Sequence, residues 1–84
     1  PERVSVPFVA TTCKDLDAVA EEVERVAHDI ALEHTGIVKE PSVLFTEITE
    51  GGLAGKVVLE VEDAAQATPV SDAITRAIAP LVRA

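Results

Sequence analysis

The stretch TCKDLDAVAEEVERVAHDIALEH, residues 12–34, decides the fold of this chain. Its large apolar residues recur at alternating spacings of three and four, which places them along one side of an α-helix. Three alanines widen this apolar stripe. Its members are Leu16, Val19, Ala20, Val23, Val26, Ala27, Ile30 and Ala31. A helix that is apolar on one side needs a second layer of structure against which to pack, so the flanking segments must supply one.

We expect this helix to run from Thr12 to about His34. Thr12 and Asp15 have the spacing of a capping box, in which a hydroxyl and a carboxylate satisfy the first free N–H groups. Asp15 and Asp17 also suit the positive end of the helix dipole. Gly36 is a natural stop signal.

The other side of the helix is acidic. Its carboxylates are Glu21, Glu22, Glu24, Asp29 and Glu33. We predict that they form a solvated surface and not a catalytic or metal site, because they spread around the helix without a burial signal. Glu21 and Arg25 have the i,i+4 spacing of a surface ion pair.

Val4–Ala10 alternates as a half-buried strand does, with Val4, Val6, Phe8 and Ala10 on one side. Pro7 lies on the other side of the pleat. Because its ring nitrogen cannot donate a hydrogen bond, the position fits an open edge of a sheet.

A hairpin follows the helix. Ile37–Ser42 is predicted to be a connector that Pro41 ends, and Val43–Thr49 contains strand-forming residues. Gly51-Gly52 is the turn. Leu53–Glu62 is the returning strand, with alternating valine, leucine and glutamate side chains.

A second helix is predicted to begin at Thr68-Pro69, where a capping hydroxyl precedes a proline at the first helical position. Its apolar stripe consists of Val70, Ile74, Ala77, Ile78 and Leu81. Pro80 removes a hydrogen bond to the carbonyl of Arg76, so we expect a kink or an early end near Ala79.

These elements predict one α+β domain over residues 1–84, a ferredoxin-like two-layer sandwich of order β-α-β-β-α that lacks the final strand. The third strand is expected between the first and the second, and the first crossover is expected to be right-handed. The first strand would then keep a bare edge of the kind that a partner covers.

Composition narrows the possible functions. The 84 residues carry fifteen Asp and Glu against seven Lys and Arg, a net charge of −8, which disfavours nucleic acid and anionic membrane surfaces as partners. The sequence contains no apolar run long enough to span a membrane. It begins with Pro1 and has no Met, so we expect it to be a fragment of a longer protein.

The sequence predicts no metal or cofactor site. Cys13 is the single cysteine, and the position where soft-metal chaperones of similar architecture have a second one is Leu16. His28 and His34 lie six positions apart on the helix and should not converge on one ion, so solvated or capping roles are expected for both.

The sequence also predicts no catalytic residue. Ser5, Ser42 and Ser71 have no histidine at a recognisable spacing. Gly51-Gly52 lies between two strands and not before a helix, which favours a turn over a phosphate cradle. The loop Thr11-Thr12-Cys13-Lys14 lacks the arginine that acylphosphatase-type chemistry requires. We therefore expect the protein not to be an enzyme.

Four stretches resemble the carboxy-terminal α/β domain of the small-conductance mechanosensitive channel (MscS) family. They cover nearly the whole chain: Pro7–Ala10 with Lys14–Val19, Gly36–Val43, Phe45–Leu53, and Val57–Val61 with the helix Val70–Ile78. The chain differs from the family pattern at Pro80 and in lacking both the aromatics of the last strand and the closing segment.

The resemblance implies a role. In this family, transmembrane helices form a tension-gated pore, and seven copies of this domain contribute to a cage on the cytoplasmic side of the cell membrane. The cage filters solutes and takes part in assembly and gating. The implied partners are copies of the chain in a homo-oligomeric ring, with ions passing through, and no catalytic, cofactor or metal residue is implied. The −8 charge of each copy would favour the passage of cations.

Two other classes of function are open. The first is a ferredoxin-like regulatory module that binds a small ligand between paired units, although Thr11–Lys14 offers such a ligand little. The second is a small hydrolase, which the absence of a nucleophile set disfavours.

Overall fold

A computed structural model describes residues 1–10 and 15–82, with the side chain of Leu16 also outside the description. It contains the strand β1 (Glu2–Ala10), the helix α1 (Leu16–Leu32), the strands β2 (Ile37–Thr49) and β3 (Gly52–Val61), and the helix α2 (Ala64–Val82). The strands form a three-stranded antiparallel sheet in the order β1-β3-β2. The protein is therefore an α+β fold, and the predicted position of the third strand between the first two is confirmed.

Both helices pack on one face of the sheet. The buried cluster joins alternate residues of β1 and β3 to one stripe from each helix. Val6 on β1, Leu59 on β3, Val23 on α1 and Ile74 on α2 are each at most 1% exposed. The alternation predicted for Val4–Ala10 is confirmed, since its even-numbered residues are all buried.

Helix α1 begins at Leu16. Asp15 has an extended backbone, and its side chain accepts a hydrogen bond from the backbone N–H of Ala18 at 3.2 Å, so Asp15 is the N-cap. The predicted cap Thr12 lies outside the described residues. The helix ends at Leu32, two residues before the predicted end at His34.

The segment Ile37–Ser42 is a strand and not the predicted connector. Three bulges, between Ile37 and Lys39, between Lys39 and Ser42, and between Phe45 and Glu47, each insert one residue into β2. A bulge on an edge strand can accommodate Pro41, because the missing N–H is not needed there for pairing. The strand therefore continues through the proline. The predicted hairpin is present, but its turn lies at Glu50 and Gly51, one residue before the predicted Gly51-Gly52, because Gly52 already pairs in β3.

Helix α2 begins at Ala64, so the prediction of a start at Thr68-Pro69 is wrong. The Asp63 carboxylate accepts from the N–H of Ala65 at 3.0 Å, and the Gln66 side chain accepts from the N–H of Asp63 at 3.3 Å. These reciprocal bonds form a capping box whose first residue, Asp63, lies six residues before Pro69. The early end predicted near Ala79 is also wrong, since the helix continues past Pro80 to Val82.

Candidate interaction surface

The sheet has an outer face that neither described helix covers. The register of the three strands aligns four cross-strand rows of side chains on this side. The rows are Arg3–Glu60–Lys39, Ser5–Val58–Ser42, Pro7–Lys56–Leu44 and Val9–Ala54–Glu47. We call these twelve residues the outer sheet face. Side chains alternate between the two faces of each strand, so the residues that do not point into the core form this face.

The outer sheet face combines three cations with two carboxylates, Glu47 and Glu60, and with exposed apolar side chains. Arg3, Lys39 and Lys56 make no ion pair with any carboxylate of the described residues. Around them, Val9 is 42% exposed and Leu44 is 51% exposed. This surface was not predicted from the sequence, because it depends on which residues of three separate strands become neighbours.

The exposed side of α1 has the opposite character. Glu21, Glu24, Asp29 and Glu33 are exposed and Glu22 is partly exposed, so the predicted solvated acidic surface is present. Asp17 extends it into the first turn. We call the three carboxylates Asp17, Glu21 and Glu24 the α1 acidic strip, because they follow one another along one side of the helix. None of the three has an ion-pair partner among residues 1–10 and 15–82.

Arg25 does not pair with Glu21, contrary to the prediction. Its guanidinium instead donates to Glu22 and lies 3.7 Å from the carboxylate of Asp29. The hydrogen bond to Glu22, together with the nearby negative charges, raises the pKa of Arg25 above its usual value. Glu22 and Asp29 lie on the same side of Arg25, and together they attract its guanidinium more strongly than Glu21 does on the other side. Arg25 therefore does not neutralise the α1 acidic strip.

The two histidines have different partners. His28 Nε2 lies 3.3 Å from a carboxylate oxygen of Glu40 and thereby links α1 to β2. His34 Nδ1 lies 2.9 Å from the carbonyl oxygen of Ile30, so the ring N–H donates to the last turn of its own helix. The predicted capping role of His34 is confirmed. Among the described residues, no group of three His, Cys, Asp or Glu could hold a metal ion.

No polar or charged side chain of the described residues is buried. The depression beside α1 has a volume of about 510 Å³ and is lined mainly by exposed carboxylates, together with Arg25 and His28. Cys13 and the loop Thr11–Lys14, the candidates in the sequence for metal and ligand binding, lie outside the described residues. The described residues therefore present two charged surfaces and an apolar core.

No family model matches the chain, and no curated protein matches it. Of the described helices, neither is long and apolar enough to span a membrane.

Proposed function

We propose that this chain is a non-enzymatic cytoplasmic cage (vestibule) domain of a small-conductance mechanosensitive ion channel, where it contributes to assembly, solute filtering and gating. It would act as one of seven copies on the cytoplasmic side of the cell membrane. In finer detail, the fold would be ferredoxin-like without its final strand, with the free edge of β1 available to further parts of the assembly.

One observation carries the proposal. The stretches that resemble the channel family fall on successive elements of a single domain: Pro7–Ala10 in β1, Gly36–Val43 at the start of β2, and Val57–Val61 in β3. The stretch Phe45–Leu53 spans the β2–β3 turn, and Val70–Ile78 is the central part of α2. An ordered set of matches in one compact unit supports the resemblance more strongly than any one of them alone.

The distribution of charge agrees with this role. The carboxylates of α1 are at the surface, where several copies arranged around a vestibule would sum to a negative field. Such a field raises the local concentration of cations and lowers that of anions. A cage that filters solutes needs a surface charge of this kind and no reacting group.

The test uses the complete gene that contains this chain. We expect the encoded protein to have three apolar spans, the last rich in Gly and Ala, followed by a short all-β domain. Expressed in cells that lack their own mechanosensitive channels, it should restore survival of hypo-osmotic shock and give tension-gated currents in excised patches. A gene without membrane spans, or a protein that gives no such currents, would refute the proposal.

A matched pair of variants tests the role of charge. Asp29→Asn/Glu33→Gln should reduce the preference of the channel for cations, because each copy loses two exposed negative charges of α1. Thr46→Ala/Thr68→Ala changes two exposed positions without changing charge and should leave the preference unaltered. A saturable thermal stabilisation of the chain by an amino acid or a nucleotide would instead favour the regulatory module.

A further inference from the structure

We propose that the outer sheet face is a docking surface for the α1 acidic strip of a second copy of this chain, so that copies join head to tail. The inference rests on the proposed function, which requires copies to assemble, and goes further by naming the two surfaces that meet.

The cations of the outer sheet face have no carboxylate of the described residues within ion-pair distance. Lys56 lies in the central strand, partly buried between Pro7 and Leu44 of the neighbouring strands. Its ammonium group has no carboxylate partner within the described part of the chain. A partly desolvated cation on an apolar background gains more from an incoming carboxylate than a fully hydrated one does.

The α1 acidic strip cannot reach the outer sheet face of its own molecule. Both helices cover the inner face of the sheet, so the α1 acidic strip points away from Lys56. Arg25 is held by Glu22 and Asp29, which leaves Glu21 and Glu24 without a cation. The two surfaces lie on opposite sides of one molecule, so a second copy in the same orientation can place its α1 acidic strip against the outer sheet face of the first.

The symmetry and the area of this contact determine how strongly it can join two copies. Contact between two different surfaces is heterologous, and such a contact closes into a ring or continues as an open chain. Three strands about 4.8 Å apart and about 30 Å long give a face of roughly 400 Å². A stable interface buries about 800 Å² on each partner, so this contact alone should be weak. It would orient copies that the rest of the assembly holds together.

The experiment uses the 84-residue chain at about 0.15 M salt, where repulsion between the net charges is screened beyond about 8 Å. Amide NMR spectra are recorded from about 0.05 to 2 mM, the range in which a weak contact becomes populated. The amides of both β3 near Lys56 and α1 near Glu21 should shift with concentration. Lys56→Glu alone and Glu21→Lys/Glu24→Lys alone should each weaken association about tenfold or more, because like charges would then meet.

Mixing the two variants is the decisive measurement. The first variant retains an intact acidic strip and the second retains an intact sheet face, so the mixture should associate although neither variant does so alone. Glu50→Lys, in the exposed β2–β3 turn, changes the net charge without touching either surface and should associate as the parent chain does. If Lys56→Glu disturbs the dispersed spectrum of the folded chain, Lys39→Glu, at an exposed position on the same face, replaces it.

Shifts confined to one surface would indicate a symmetric contact and overturn the inference. Variants that associate as well as the parent, or a mixture that does not associate, would overturn it too. The channel recordings on the complete gene do not depend on this contact, so the proposed function could survive its failure.

Discussion

Phe8 and Phe45 meet edge to face, with ring centroids 6.2 Å apart and an angle of 74° between the ring planes. They lie on the two outer strands of the sheet, and the residue between them on the central strand is Gly55. The absence of a side chain at Gly55 makes room for the rings to approach. The chain has two phenylalanines and no tyrosine or tryptophan, so Gly55 allows its only two such rings to contact each other.

We predict that Gly55→Ala destabilises the protein. A Cβ at this position would lie 2.9 Å from both the Leu44 carbonyl oxygen and Phe8 Cζ, closer than van der Waals contact permits. Either the strand or the ring must move, and the free energy of unfolding should fall by about 1–3 kcal/mol. Urea unfolding followed by circular dichroism measures the change.

Gly51→Ala is the matched control, since it makes the same chemical change four positions away. Gly51 lies in the exposed turn, where an added Cβ would approach only Thr49 Oγ1, at 3.9 Å. Its effect should remain within about 0.5 kcal/mol. Equal losses from the two substitutions would show that crowding by the phenylalanine rings is not the cause.

The strand β1 and the apolar side of α1 were predictable because each is encoded by the period of a short segment. The capping box at Asp63 and Gln66 was missed because Thr68-Pro69 carries a stronger local signal for a helix start. The bulged strand through Pro41 was missed because the proline is tolerated only when the strand lies at an edge, which is a property of the sheet. The outer sheet face depends on register between distant segments, and no local pattern encodes that register.

The start of α2 can be tested with two alanine substitutions. Asp63→Ala removes the carboxylate that accepts from Ala65, so the free energy of unfolding should fall by about 1 kcal/mol. Thr68→Ala removes only an exposed hydroxyl within the helix and should change it by less than about 0.5 kcal/mol. A larger loss from Thr68→Ala than from Asp63→Ala would mean that the helix begins at Thr68 after all.

The loop between α1 and β2 is tied to the beginning of α2 through Gly36 and Gln66. Gly36 has a φ of 81°, which favours glycine, and its carbonyl oxygen accepts from the N–H of Glu62 at 2.8 Å. Gln66 Nε2 donates to the carbonyl oxygen of Thr35 at 3.2 Å. A Cβ on Gly36 would overlap the side-chain amide of Gln66. Gln66 therefore both completes the N-terminal cap of α2 and binds the loop between α1 and β2.

Gly36→Ala should reduce the free energy of unfolding by about 1–3 kcal/mol from backbone strain alone, with the overlap adding to it. In a Gln66→Ala background the overlap is gone, so the same substitution should cost less. A double-mutant cycle by urea unfolding should show a coupling above about 0.5 kcal/mol, the limit within which independent sites add. Strict additivity would mean that the two residues do not interact in solution.

Pro69 gives a test in the opposite direction, because its replacement should stabilise the protein. Pro69 lies inside α2, where it cannot donate to the carbonyl oxygen of Ala65 one turn earlier. Pro69→Ala restores this donor, a gain of up to about 3 kcal/mol in a helix interior, reduced by about 0.4–1 kcal/mol because the unfolded chain becomes more flexible. For a domain of this size each kcal/mol raises Tm by about 4–8 °C.

If Pro69 were instead the first residue of the helix, no hydrogen bond would be missing at that position. The substitution would then leave Tm unchanged or lower it. Thermal unfolding of Pro69→Ala beside the parent chain distinguishes these outcomes. Pro80→Ala near the end of the helix should give a smaller gain of the same sign, because the last turn contributes less to the stability of the whole.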